Sequence, residues 1–265
     1  MPAEVICLAN FKGGVGKSTS TVNIAACLAQ SGARTLLADC DPQANASEMF
    51  IPEDEIQGDM RSIIVERRPL GEVIQPTRIK GLDVLPASFD LAHLDKELVL
   101  SPNGVQRIDK VLRGPRETYD YILLDTGPNL SHLTLGALVA ARHIILPVSA
   151  TVWASTGLRK FLGWVDEHRR EEVLSSTVLG LFATMVDTRT RVGRTLLQQL
   201  TDSPLPHFNA WIPRRVAVED AAQSRSVVGE PGAEPDISEA YKALTVELME
   251  KVEVAAAKRE GRHAR

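Results

Sequence analysis

The chain opens on an unbroken apolar run, Val5-Ile6-Cys7-Leu8-Ala9, turns polar and glycine-rich, and becomes apolar again from Thr21 to Leu28. The first run has the length and continuity of a parallel strand buried on both faces, and the second reads as a helix. Short runs like the first recur at 34–41, 81–88, 119–126, 143–148 and 178–186, and each predicts a strand. Between and after them, apolar spacing predicts helices over 58–68, 91–100, 104–113, 153–170 and 238–256. Gly114-Pro115 stops the third of these, and Trp153, Leu158, Phe161, Leu162 and Val165 form the stripe of the fourth. The pattern is that of an α/β fold, a doubly wound, mostly parallel sheet flanked by helices. No repeat or low-complexity linker divides it, so we expect one domain over 1–256 and a basic, disordered tail over 257–265.

Composition narrows the reading. A hydrophobic content of 44% in 265 residues suits a globular chain with a real core. A net charge of −4 does not announce a nucleic-acid binder, so any such contact must come from a local patch. The three cysteines, Cys7, Cys27 and Cys40, fall in predicted core elements and form no Cys-x-x-Cys pair, which argues against a metal or iron–sulfur site. A leader pattern and a run of eighteen apolar residues are both missing, so a cytoplasmic location is expected.

The chemistry is densest between the first strand and the first helix, in Asn10-Phe11-Lys12-Gly13-Gly14-Val15-Gly16-Lys17-Ser18-Thr19. A glycine-rich turn lets backbone N–H groups face inward, and the new helix aims its positive end at the same point. Such a loop cradles phosphates, Lys17 reaches the β- and γ-phosphates, and the Ser18 hydroxyl ligates Mg²⁺. Where the ordinary phosphate loop has its first Gly this chain has Phe11, and Lys12 follows directly. The string Lys-Gly-Gly-Val-Gly-Lys-Ser-Thr resembles the deviant Walker A loop of the ParA/MinD superfamily of ATPases. That resemblance implies ATP and Mg²⁺ as cofactors and a homodimer formed on ATP, with Lys12 reaching the nucleotide of the partner copy. The missing Cys-x-x-Cys weighs against the nitrogenase iron protein and iron–sulfur carrier branches.

The resemblance continues along the chain. Asp39-Cys40-Asp41-Pro42-Gln43 closes the second strand, and by resemblance Asp41 positions the attacking water while Asp39 supports Mg²⁺ or its water shell. Asp125 ends a Walker B-like strand and is expected at Mg²⁺. ParA proteins usually continue Thr-Pro-Pro-Ser, whereas here Gly127 replaces the first proline of Thr126-Gly127-Pro128-Asn129. The stretch 184–190 also matches. Trp211-Ile212-Pro213-Arg214 is similar to an Ile-Pro-Arg motif that borders adenine, which implies a cofactor contact at Pro213.

A ParA-type protein binds nonspecific DNA, and a MinD-type protein binds membrane through an amphipathic tail. The residues after Val252 contain no Leu, Phe or Trp to enter lipid, so no membrane partner is expected. Arg189, Arg191, Arg194, Arg214, Arg215 and Arg225 form the candidate DNA patch, with Arg189, Arg191, Arg214 and Arg215 foremost, expected to lie away from the γ-phosphate. The implied function is a DNA-partitioning ATPase, nucleoid-associated in the cytoplasm, whose hydrolysis a ParB-like partner stimulates. A ParA-like positioning ATPase for a protein cargo, a MinD-like membrane regulator and a metabolic enzyme such as dethiobiotin synthetase are the alternatives. Lys12 and the Asp-Pro-Gln segment argue against the last.

Overall fold

A computed structural model describes residues 2–153, 155–214, 226–230 and 234–263, with side chains as far as Arg259. Seven strands form one sheet: β1 (Glu4–Leu8), β2 (Thr35–Cys40), β3 (Gln75–Pro76), β4 (Leu82–Leu85), β5 (Tyr121–Thr126), β6 (His143–Val148) and β7 (Thr177–Ala183). Their order is β3-β4-β2-β5-β1-β6-β7, and every neighbouring pair is parallel except β3 with β4. The unbroken apolar runs are explained by this topology, because successive side chains point to opposite faces and both faces are covered. In β1, Val5 and Cys7 join one core while Ile6 and Leu8 join the other.

Helix α1 (Lys17–Gln30) and the closing helix (Pro235–His263) cover the second core. They are tied by a Ser20–Tyr241 hydroxyl contact of 3.2 Å. Around the other core lie α2 (Met60–Ile64), α3 (Leu70–Val73), α4 (Leu91–Leu100), α5 (Arg107–Val111), α7 (His132–Ala140), α8 (Ala150–Trp153), α9 (Thr156–Arg170) and α10 (Arg191–Thr201), while the short α6 (Pro115–Thr118) leads into β5. All three cysteines are buried and unpaired, as their positions predict.

Several predicted helices are shorter than their apolar spacing implies. The one expected over 58–68 is only α2, because the Asp59 side chain caps its start and Arg67 sits left-handed at φ 60° past its end. The one expected over 153–170 is two helices, α8 and α9, with Ser155 extended as the cap between them. The expected helix over 104–113 begins as a 3₁₀ turn, Gly104–Gln106. The closing helix is longer instead, running through His263 into the segment expected to be a disordered tail. Ala255-Ala256-Ala257-Lys258 are strong helix formers, and Arg259 pairs with Glu4 at 3.3 Å.

Candidate functional site

The carboxyl ends of β1, β2 and β5 lie side by side, and the chain order reverses across β1, the place where doubly wound sheets bind ligands. Pairing sets Asp39 of β2 directly beside Asp125 of β5. The loop after β1 turns through Gly14 at φ 67° and Gly16 at φ 79°, conformations that glycine adopts without strain, and Gly16 caps α1. A Cβ added at Gly14 would meet nothing within 4 Å, so it is the left-handed backbone and not a close neighbour that calls for glycine there.

Each part of the loop has its own anchor. Asn10 donates from Nδ2 to the Pro147 carbonyl at 2.8 Å and accepts the Lys12 N–H at 3.1 Å. The Thr184 hydroxyl donates to the Val15 carbonyl at 3.0 Å, tying the loop to the end of β7. Lys17 is 7% exposed, and its ammonium donates to the Lys12 carbonyl at 3.4 Å. Burial lowers its pKa, against the opposing charges of Asp125 and Asp41. Lys12, Gly13 and Gly14 are exposed, while Ser18 and Thr19 are half-buried.

Three carboxylates converge below. Asp125 is fully buried, and its Oδ1 accepts from the Thr21 hydroxyl at 2.8 Å. Its Oδ2 has no hydrogen-bond partner among the described residues. Burial pushes the Asp125 pKa up, held back by the Ser18 and Thr21 hydroxyls and by Lys17. Asp39 is fully buried as well and is raised by burial and by the Asp125 charge beside it. Its two oxygens hold the following loop, accepting the Asp41 N–H at 3.0 Å, the Ser47 N–H at 2.9 Å and the Ser47 hydroxyl at 2.7 Å. Ser47 in turn accepts the Ala87 N–H at 2.8 Å. Asp41 accepts the Gln43 N–H at 3.0 Å. A Cβ built on Gly127 would stand 3.3 Å from Asp41 Oδ1, so the glycine leaves room for that carboxylate.

The donor set fits a hard divalent cation beside a polyphosphate. Asp125 offers an orphaned buried oxygen next to the Ser18 hydroxyl and the ammonium of Lys17. Mg²⁺ is commonly held by one or two such protein groups together with substrate phosphates and water.

A family model described as an AAA domain matches residues 3–176. The chain is 36% identical over 258 residues to the chromosome-partitioning ATPase Soj of Thermus thermophilus, covering 94% of this chain and 97% of that one. It is 34% identical over 254 residues to the chromosome partitioning protein ParA of Myxococcus xanthus, covering 94% and 88%. The chain belongs to the ParA/Soj family of ATPases. A similar solved structure is the cobyrinic acid a,c-diamide synthase of Mycobacterium smegmatis with bound ADP and magnesium, at TM-score 0.80 and 26% identity over 93% of this chain and 94% of that one. The putative plasmid partition protein of Borrelia burgdorferi bound to AMPPNP shares the fold, at TM-score 0.78 and 24% identity over 95% and 100%.

The second predicted region of this ParA/Soj chain lies next to the loop. The segment through Pro213 runs along the end of β7, with a Val186–Pro213 bridge and the Arg214 N–H donating to the Val186 carbonyl at 2.9 Å. Val186, Asp187, Thr188, Arg189, Trp211, Pro213 and Arg214 line one cavity of ≈ 440 Å³. Hydrogen bonds from Arg189 carry the Asp187 carboxyl down to about 2, with the charges of Arg189 and Arg214 adding to it. Arg189 and Arg214 therefore line the same cavity as the expected adenine contact and are exposed there, and Arg191 is exposed at the start of α10. Arg194 is exposed too and donates to the Thr188 and Arg189 carbonyls. Arg215, Arg225 and the stretch 218–222 lie outside the described residues. Among the described residues no helix is long and apolar enough to cross a membrane.

Asn10, Thr21, Ser47 and Thr184 serve the site without being singled out in the sequence. Asn10 and Thr184 fall inside stretches that carry the resemblance, and Thr21 stands four residues after Lys17 on one helix face, but neither the resemblance nor the spacing assigns them a role.

Proposed function

We propose that this ParA/Soj chain is a DNA-partitioning ATPase in which ATP and Mg²⁺ pair two copies face to face. One observation carries the reading. A buried Lys17 feels the charge of Asp125, whose Oδ2 has no partner among the described residues, while Lys12 in the same glycine-rich loop is exposed. The first two serve the chain's own nucleotide. Lys12 has no hydrogen bond or ion pair at Nζ among the described residues and serves the partner's nucleotide.

Backbone N–H groups of Gly13–Thr19 hold the phosphates, Lys17 neutralises the β- and γ-oxygens, and Ser18 with Asp125 holds the metal. Held there, Mg²⁺ would supply neutralisation of the charge on the nucleotide's phosphates. Asp41 orients the attacking water, and Asp39 holds the Asp41–Ser47 loop in place through three hydrogen bonds. That geometry supports Asp39 as a positioning group more than as a metal ligand. Pro213 borders the adenine.

Pairing joins the arginines of two copies into one surface for DNA of any sequence, because phosphate contacts carry no base information. Arg191, exposed at the start of α10, is one DNA candidate, and Arg189 and Arg214, exposed on the cavity that Pro213 also lines, are two others. Doubling the phosphate contacts raises affinity, so pairing acts as the binding switch. Hydrolysis, stimulated by a ParB-like partner, dissolves the pair and releases the nucleoid. Sedimentation with ATP tests the assignment. Lys17→Ala loses nucleotide binding, whereas Lys12→Ala keeps it and fails to pair. Equal loss of nucleotide binding in both variants refutes the trans role of Lys12.

A further inference from the structure

Helix α9 carries Phe161, Trp164 and His168 at three- and four-residue spacing, one stripe of rings from core to surface. Phe161 is buried, and Trp164 and His168 are half-buried. Phe11, the residue before Lys12, closes the inner end of that stripe. Its ring meets Phe161 edge-on at 4.4 Å between centroids and Trp164 at 6.1 Å. Trp164 lies 4.1 Å from the His168 ring, and His168 Nδ1 lies 3.0 Å from the Trp164 carbonyl.

Nothing in phosphate binding asks for a ring at this position. The cradle beyond it is fixed independently, by the Thr184 bond to Val15 and by the first turn of α1. The Lys12 end is fixed differently. Its N–H is held by Asn10, its carbonyl by the Lys17 ammonium, and its Cα by a neighbour locked in the aromatic stripe. Only the Lys12 side chain is left free to reach outward. A shift of α9 therefore bears on Lys12 through one peptide unit, while Val15 and the backbone of α1 keep anchors of their own and the Lys17 ammonium links the two ends.

We propose that Phe11 is a positioning residue which, anchored on Phe161 and Trp164, places Lys12 for the partner copy's nucleotide and makes α9 the lever that sets how readily two copies pair. The proposal rests on the trans role of Lys12 given above. Because coupling is reciprocal, a protein contact that shifts α9 changes pairing, and pairing changes the affinity for that contact.

The test compares Phe11→Ala, Phe11→Tyr, Trp164→Ala and the Phe11→Ala/Trp164→Ala double variant in the full chain, each checked for folding by circular dichroism. ADP affinity, read by nucleotide titration, is expected to stay within about twofold of the parent, since one copy binds it through the separate cradle. The ATP-dependent dimer, read by sedimentation, is expected to weaken roughly threefold to tenfold in Phe11→Ala, the scale of a lost ring pair. Trp164→Ala weakens it as well, and the double variant matches Phe11→Ala instead of the product of the two. Phe11→Tyr, which keeps the ring, restores pairing. If Phe11→Ala loses its fold, Phe11→Leu replaces it, with weaker pairing at unchanged ADP affinity again expected. Parent-like pairing in Phe11→Ala while Lys12→Ala fails to pair overturns this proposal alone, as does full additivity. Parent-like pairing in Lys12→Ala overturns both this proposal and the trans role beneath it.

Discussion

Thr21→Val removes one hydroxyl and little else, because the two side chains have nearly the same shape. Thr21 is fully buried, and its hydroxyl lies 2.8 Å from Asp125 Oδ1. Oδ2 already has no partner among the described residues, so the variant takes the Thr21 bond from a buried carboxyl and leaves it the Ser18 hydroxyl and the Lys17 charge. A hydrogen bond to a charged group contributes about 1.5–3 kcal/mol, and that is the expected loss in the nucleotide-free protein. The sign with pH follows. The bond favours the ionised carboxylate and holds its raised pKa down, so losing it raises that pKa further. The loss is therefore larger at about pH 8, where the carboxylate is charged, than at about pH 5, where it is largely protonated. Urea denaturation of parent and variant at both pH values measures it. Thr21→Ser controls for the hydroxyl, retaining the bond at about 0.8 kcal/mol for the missing methyl. A Thr21→Val variant within about 0.5 kcal/mol of the parent at both pH values refutes the claim that this bond supports Asp125.

At Gly127, Gly127→Ala crowds the Asp41 carboxylate at 3.3 Å, so ATP turnover is expected to fall about tenfold with ADP affinity kept; unchanged turnover removes the clearance argument. Asp41→Ala is expected to bind ATP normally and accumulate as the ATP-bound dimer, and normal turnover in a phosphate-release assay counts against its water-positioning role. Burial raises the Glu4 carboxyl, but a hydrogen bond from His143 and the charges of Arg142, His143 and Arg259 outweigh it and carry the pKa from 4.5 down to about 2. This group thus stabilises the fold above its ordinary pKa and ceases to as pH falls towards the folded value. Glu4→Gln is expected to cost about 1–2 kcal/mol near neutral pH, after discounting for a partly solvated carboxyl, and much less near pH 2 by urea midpoints.

The sheet was legible because both of its faces are covered, and unbroken runs such as Tyr121–Thr126 follow from that. The loop was legible because Gly14 and Gly16 take conformations that ordinary side chains avoid. Helix α7 left no stripe to find, since it is apolar nearly all round and packs on several sides. The supports of the site were invisible for a different reason. Thr184 reaches Val15, and Ser47 joins Asp39 to Ala87, across separations that no local spacing encodes. The arginines were found as residues but not in their setting. Only the pairing of the 211–214 segment with the end of β7 shows that Arg189 and Arg214 share a cavity with Pro213.

The central claim is that nucleotide state controls DNA binding through pairing, and filter binding of the full chain to two unrelated DNA duplexes across a salt series tests it most directly. With ATP the account predicts equal binding to both duplexes, falling steeply as salt rises because each neutralised phosphate releases counterions, and far weaker binding with ADP or in Lys12→Ala. Binding that is the same with ATP and ADP would contradict the account. So would ATP-dependent sedimentation with anionic liposomes in the absence of any DNA binding.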